Sequence, residues 1–193
     1  MPVDRQLLFF FLFLCPGFVV GQRIEFFKEE LVFTLDSSFF SVNGDYFFRN
    51  PSNSPLNYKI FFPVSKTPGY KAIDTILVYD ISEPNQPLIV GIKDSVASFS
   101  LSFVPFSEKC VRIFYKQHHN GSRARYILMT TQNWQKPIEL GKYSLITRKN
   151  ISILHFSILP DRSEDFGESR LYFWNKYQFM PDRDFVFDFL ENQ

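Results

Sequence analysis

The 193 residues carry 21 Lys and Arg against 20 Asp and Glu, a net charge of +1. No charge field therefore draws the chain to nucleic acid or to an anionic membrane surface. Aromatic residues make up 19% of the chain and Phe alone counts 25; such side chains favour strands and fill a core with few residues.

Residues 1–21 read as a secretory signal peptide. Arg5 and the amino terminus give a weakly positive start, Leu7 to Leu14 is an unbroken apolar run, Pro16 and Gly17 break it, and Val19-Val20-Gly21 precedes Gln22. That is the three-part pattern of a cleaved export signal. The run is about half of what a bilayer-spanning helix needs, so no transmembrane segment is expected after cleavage. Bulky Leu12-Phe13-Leu14 before Cys15 does not suit lipid attachment. The chain is expected to be secreted, periplasmic or held in the cell envelope, with residues 22–193 as one domain. With residues 1–21 removed Cys110 is the sole cysteine, so stability must come from packing and not from an intramolecular disulfide.

From Ile24 onward, short apolar stretches alternate with turn residues at intervals of roughly a dozen positions, the signature of an all-β sandwich or barrel. The expected fold is an antiparallel β-sandwich. Asn43-Gly44-Asp45 reads as a tight hairpin turn, and Asn50 to Pro55 as a loop. Tyr70 to Ile81 fits either a helix or a buried strand. Ser98 to Phe103 alternates with period two, which buries Phe99, Leu101 and Phe103 and leaves the serines wet. Val111, Ile113 and Tyr115 share one face of the next strand. His118 to Ser122 is expected to be the tip of a hairpin with arms Val111 to Lys116 and Arg123 to Thr130. Asp161 to Glu168 reads as an acidic loop, and Phe185, Phe187 and Phe189 line one face of a last strand.

Two sets of segments carry a resemblance. One is Val42 to Asn50 followed by Ile60-Phe61-Phe62-Pro63; the other is Tyr126-Ile127-Leu128-Met129-Thr130, then Trp134-Gln135-Lys136-Pro137, then Pro181-Asp182-Arg183-Asp184. In this order they resemble a family of uncharacterised bacterial secreted or envelope proteins, with a Tyr-Ile-Leu-x-Thr strand, a Trp-x-x-Pro turn and a closing Pro-x-x-Asp strand. The resemblance implies β architecture and export, and it supplies no catalytic residues.

Nothing concentrates chemistry in one motif. There is no Gly-x-Ser-x-Gly elbow. His118 and His119 are adjacent and His155 stands apart, which is not the one-face spacing of a zinc site. Asp161, Glu164 and Asp165 lack the ligand spacing of a calcium loop. No cofactor or metal is specified. The best candidate surface is the turn bearing Gln132, Asn133, Trp134 and Lys136. Exposed, its ring could anchor a partner; buried, it would plug the end of the sandwich, the reading preferred here. The expected function is non-enzymatic binding or a structural role in the bacterial envelope or an extracellular assembly, with a protein or glycan partner. A secreted hydrolase with dispersed active-site groups is the alternative.

Overall fold

Large apolar residues at every second position set the architecture, because a strand turns such residues to one face. The structure, a computed structural model, describes residues 23–63, 70–82, 87–93, 96–119 and 122–192. The signal peptide expected at residues 1–21 lies outside them.

Among the described residues thirteen strands form, and the fold is all-β and sandwich-like. They are β1 (Glu25–Leu35), β2 (Phe39–Arg49), β3 (Leu56–Pro63), β4 (Tyr70–Asp80), β5 (Gly91–Lys93), β6 (Val96–Phe103) and β7 (Glu108–His119). Then come β8 (Arg123–Tyr126), a 3-10 turn over Met129–Trp134, β9 (Ile138–Arg148), β10 (Ile151–Phe156), β11 (Arg162–Phe166), β12 (Ser169–Phe179) and β13 (Phe185–Glu191). A seven-stranded sheet runs β11-β12-β9-β1-β2-β7-β4. Two three-stranded sheets, β10-β13-β8 and β3-β6-β5, make the other layer.

Aromatic rings fill the space between the layers. Phe33 on β1 meets Tyr126, Phe185 and Phe187 at centroid distances of 5.2, 5.5 and 5.7 Å. Tyr46 on β2 meets Phe62 on β3 at 5.6 Å. Trp174 is fully buried, and its indole N–H donates to the Ile158 carbonyl at 3.0 Å, which satisfies its one polar atom. The alternation expected for β6, β7 and β13 is present: Phe99, Leu101, Phe103, Val111, Ile113, Tyr115, Phe185, Phe187 and Phe189 are all buried.

Several local expectations are corrected. Asn43-Gly44-Asp45 is not a turn: β2 runs straight through it, paired to β1 and β7. Gly44 is there for close approach, since a Cβ would lie 2.4 Å from Leu31 Cδ2 and 2.8 Å from the Tyr46 ring. The segments around His118 to Ser122 are not two arms of one hairpin. Both edges of β7 are taken, by β2 and β4, so β8 pairs instead with β13. The strand expected over Tyr126 to Thr130 stops at Tyr126 and gives way to the 3-10 turn. Asp161 to Glu168 is mostly strand, an edge strand whose Arg162–Glu164 and Asp165–Arg170 ion pairs lie in solvent. Between helix and strand, Tyr70–Asp80 takes the strand. Among the described residues strand pairing is antiparallel except between β1 and β9, which run parallel.

Candidate functional site

A bulge turns an acid inward. In β1 the register with β2 shifts between Phe26 and Lys28, and the extra residue reverses which side chains face the core. Phe26 is buried before the shift; Glu29, Leu31 and Phe33 are buried after it. Glu29, only 1% exposed, therefore ends up between the layers.

Two Gly-x-Tyr triplets receive it. Glu29 lies beside Tyr46 of β2 and Gly141 of β9 in the sheet. Each glycine leaves room for the tyrosine two residues on: a Cβ on Gly141 would lie 2.4 Å from the Tyr143 hydroxyl oxygen. The Tyr143 hydroxyl donates to Glu29 Oε1 at 2.7 Å, and the Tyr46 and Tyr126 hydroxyls share a hydrogen bond of 3.0 Å. Burial strips water from the Glu29 carboxyl and pushes its pKa up to about 7, against the pull of the Tyr143 hydrogen bond. Burial first, and the nearby Glu29 charge second, hold the Tyr143 phenol well above its usual value. The site is thus an acid poised near neutrality that accepts from Tyr143, beside the hydrogen-bonded Tyr46–Tyr126 pair.

Above this group a cleft opens between the two small sheets. Its inner slot, of about 50 Å³, is lined by Glu29, Tyr46, Phe48, Phe62, Tyr126 and Trp134 among others. The slot has room for a few water-sized groups. Outside it a groove of about 330 Å³ is bordered by Arg23, Tyr58, Lys59, Phe61, Asn133 and Trp134 among others. Phe61, 65% exposed, stands at the rim of both.

One buried carboxylate positions the wall bearing Trp134. Asp184 accepts the backbone N–H groups of Leu128 at 2.8 Å and Met129 at 2.9 Å, and the Arg125 Nε at 2.9 Å. Burial opposes the charge of Asp184, but the Met129 N–H, the Arg125 guanidinium and the Leu128 N–H outweigh it and lower the pKa. The 3-10 turn is thereby fixed at its start.

The four residues expected to form a binding surface divide. Trp134 and Asn133 border the groove together. Gln132 points elsewhere, donating its amide to the Pro181 carbonyl at 2.7 Å, and Lys136 is ion-paired with Glu25. Trp134 is half-buried, packed on Phe26, Phe48 and Tyr58 at 5.9, 5.8 and 6.2 Å. The Arg23 guanidinium covers its ring at 5.7 Å and donates to the Asn133 carbonyl at 2.7 Å. The ring closes the core on one side and walls the cleft on the other.

Cys110 and the three histidines do not line the cleft. Cys110 is half-buried on β7, and burial pushes its thiol up to about 11, with the Asp45 charge adding to the effect. His155 is exposed on β10 with Nδ1 3.4 Å from Asp188. His118 lies against the Phe39 ring at 3.8 Å, and His119 Nε2 donates to the Asp36 carbonyl at 2.9 Å; neither is at a solvated tip. Among the described residues no three His, Cys, Asp or Glu gather to hold a metal ion, and no helix is long and apolar enough to cross a membrane.

Sequence reasoning missed Glu29, the tyrosines around it and the role of Asp184. Glu29 hides in the charged run Lys28-Glu29-Glu30. The usable signal was the repeated Gly-x-Tyr, at Gly44-Asp45-Tyr46 and Gly141-Lys142-Tyr143.

No family model and no curated protein matches the sequence. Solved structures do. A proposed nutrient binding protein of Legionella pneumophila superposes with a TM-score of 0.71 at 15% identity, over 89% of this chain and 68% of that one. An M1 zinc metallopeptidase of Deinococcus radiodurans gives a TM-score of 0.54 at 11% identity, over 87% of this chain and 43% of that one. The chain thus spans less than half of the peptidase. At such identities the likeness is one of fold: this chain shares its all-β architecture with the Legionella protein.

Proposed function

We propose that the chain is an exported, non-enzymatic binding module of the bacterial envelope or of an extracellular assembly, and that its partner docks in the cleft between β3 and the 3-10 turn. The observation that carries this reading is the cleft itself, with aromatic walls, a buried acid and phenols at its floor, and Phe61 exposed at its rim. Such a concave, mostly apolar site with a few convergent polar groups is the usual form of a ligand site. The export pattern of residues 1–21 and the resemblance to secreted or envelope proteins supply the setting. The likeness of fold to a proposed nutrient binding protein agrees with a binding role.

The test is affinity capture from an extract of the source cell's envelope, with wild type and Phe61→Ser compared. Phe61 is mostly solvated, so its loss should leave the melting temperature unchanged and cut partner recovery at least tenfold. Equal recovery by both proteins would remove the cleft from the function.

A further inference from the structure

We infer that the partner is an acidic, extended polypeptide segment that adds a strand to the free edge of β3, with alternate side chains entering the cleft; this rests on the cleft reading above. Among the described residues β3 is hydrogen-bonded on one side only, to β6, and β8 only to β13. Residues of β3 and residues following β8 line the same slot, so the outer layer is interrupted there. An unpaired strand edge presents a row of N–H and C=O groups that a further chain can complete.

The other edges are guarded. β5 has three residues and β8 four. β4 and β10 have irregular register. β11 is exposed throughout and carries Arg162, Glu164 and Asp165. Short length, irregularity and charge are the devices that blunt an edge. By contrast β3 holds an unbroken eight-residue register with β6, and its guards are fewer, the single charge of Lys59 and a proline only at its last position, Pro63.

Its side chains indicate what would pair. Ile60 and Phe62 face inward, while Lys59 and Phe61 are exposed. A strand added in register would likewise send every second side chain inward toward the slot and the others out beside Lys59. Among the described residues the groove is bordered by the cations Arg23 and Lys59 and by no carboxylate. Opposite charges on facing strands stabilise the pair and like charges oppose it. Lys59 therefore disfavours a second copy of β3 and favours an acidic strand.

The experiment titrates the intact exported chain with defined probes by calorimetry. One pool of heptapeptides alternates Asp or Glu with Val, Leu or Phe; a second substitutes Lys or Arg for the acids. Two further acidic pools are N-methylated at odd or at even amides, and 3-phenylpropanoate serves as a small carboxylate. The acidic pool should bind at least tenfold more tightly than the basic one. One N-methyl parity should lose at least tenfold while the other is tolerated, and Lys59→Glu should reverse the charge preference. Equal binding by both N-methyl parities, or by acidic and basic pools, would overturn strand addition. Binding of 3-phenylpropanoate with no peptide binding would overturn the polypeptide and leave the cleft reading standing. If no probe binds and Phe61→Ser also leaves envelope capture unchanged, both readings fall.

Discussion

Tyr143 and Glu29 join the two strands of the parallel pair through a 2.7 Å hydrogen bond in which the phenol donates and the carboxyl accepts. The bond lies in the interior, beneath the cleft, and it couples the charge state of the floor to the packing of the largest sheet.

Stability should fall with rising pH through this one group. The folded protein holds the Glu29 proton up to about pH 7, whereas the unfolded chain releases it near 4.5. Between those values the folded state binds more protons. The contribution of Glu29 is therefore full below the lower value and lost as pH rises through the upper one, on the order of 3 kcal/mol in all. Urea unfolding of wild type and Glu29→Gln across this window should show curves that separate, with the Gln variant relatively more stable at the alkaline end. Parallel curves would mean that Glu29 is already ionised in the folded protein.

Gly141→Ala should displace the Tyr143 ring. The new methyl would sit 2.4 Å from the phenol oxygen, and overpacking of this kind costs about 1–3 kcal/mol. Gly91→Ala is the control, because its nearest neighbour is the Ser98 Oγ at 3.3 Å, the end of a small side chain at the surface. A clear drop in melting temperature is expected for the first and little change for the second.

Asp184→Ala should free the start of the 3-10 turn. It leaves the Leu128 and Met129 N–H groups and the Arg125 guanidinium without their shared acceptor; the guanidinium is half-solvated, so the loss is that of the unsatisfied N–H groups, about 1–3 kcal/mol. Amide exchange at Leu128 and Met129 should rise ahead of exchange in β1 and β2. Uniform acceleration across the chain would instead assign Asp184 to global stability alone.

Leu101→Asp and Ser100→Asp separate the two faces of β6. Leu101 is 2% exposed and Ser100 is solvated. The first substitution buries an unpaired charge and should prevent folding; the second should be tolerated within about 0.5 kcal/mol. Circular dichroism melts of the two proteins give the comparison.

What the sequence revealed depended on whether a signal was local. The alternation of Phe99, Leu101 and Phe103 is complete within one strand, and so were the faces of β7 and β13. Pairing is different in kind. Nothing within Val111 to Lys116 shows that both edges of that strand are taken, so its neighbour in sequence looked like its partner in space. Gly44 looked like a turn because glycine serves both turns and close contacts, and only Leu31 and Tyr46, brought together by the sheet, distinguish them. Glu29 was hidden by the bulge after Phe26, which reverses the inward parity halfway along β1. Trp134 is legible in the sequence as an aromatic ring in a turn, but its dual place against the core and beside the groove depends on Phe26, Phe48 and Arg23, which lie far from it in the chain.

The parallel partnership of β1 and β9 constrains the order in which the large sheet can close. β1 is adjacent in sequence to its antiparallel partner β2, but its other edge is matched by Leu140 to Thr147, more than a hundred residues later. Long-range pairings of this kind close slowly and leave edges exposed meanwhile. As the chain folds, Leu31 and Phe33 therefore sit in an open half-sheet until β9 docks. A product truncated before Ile138 would keep that edge open permanently and be a target for proteases and chaperones.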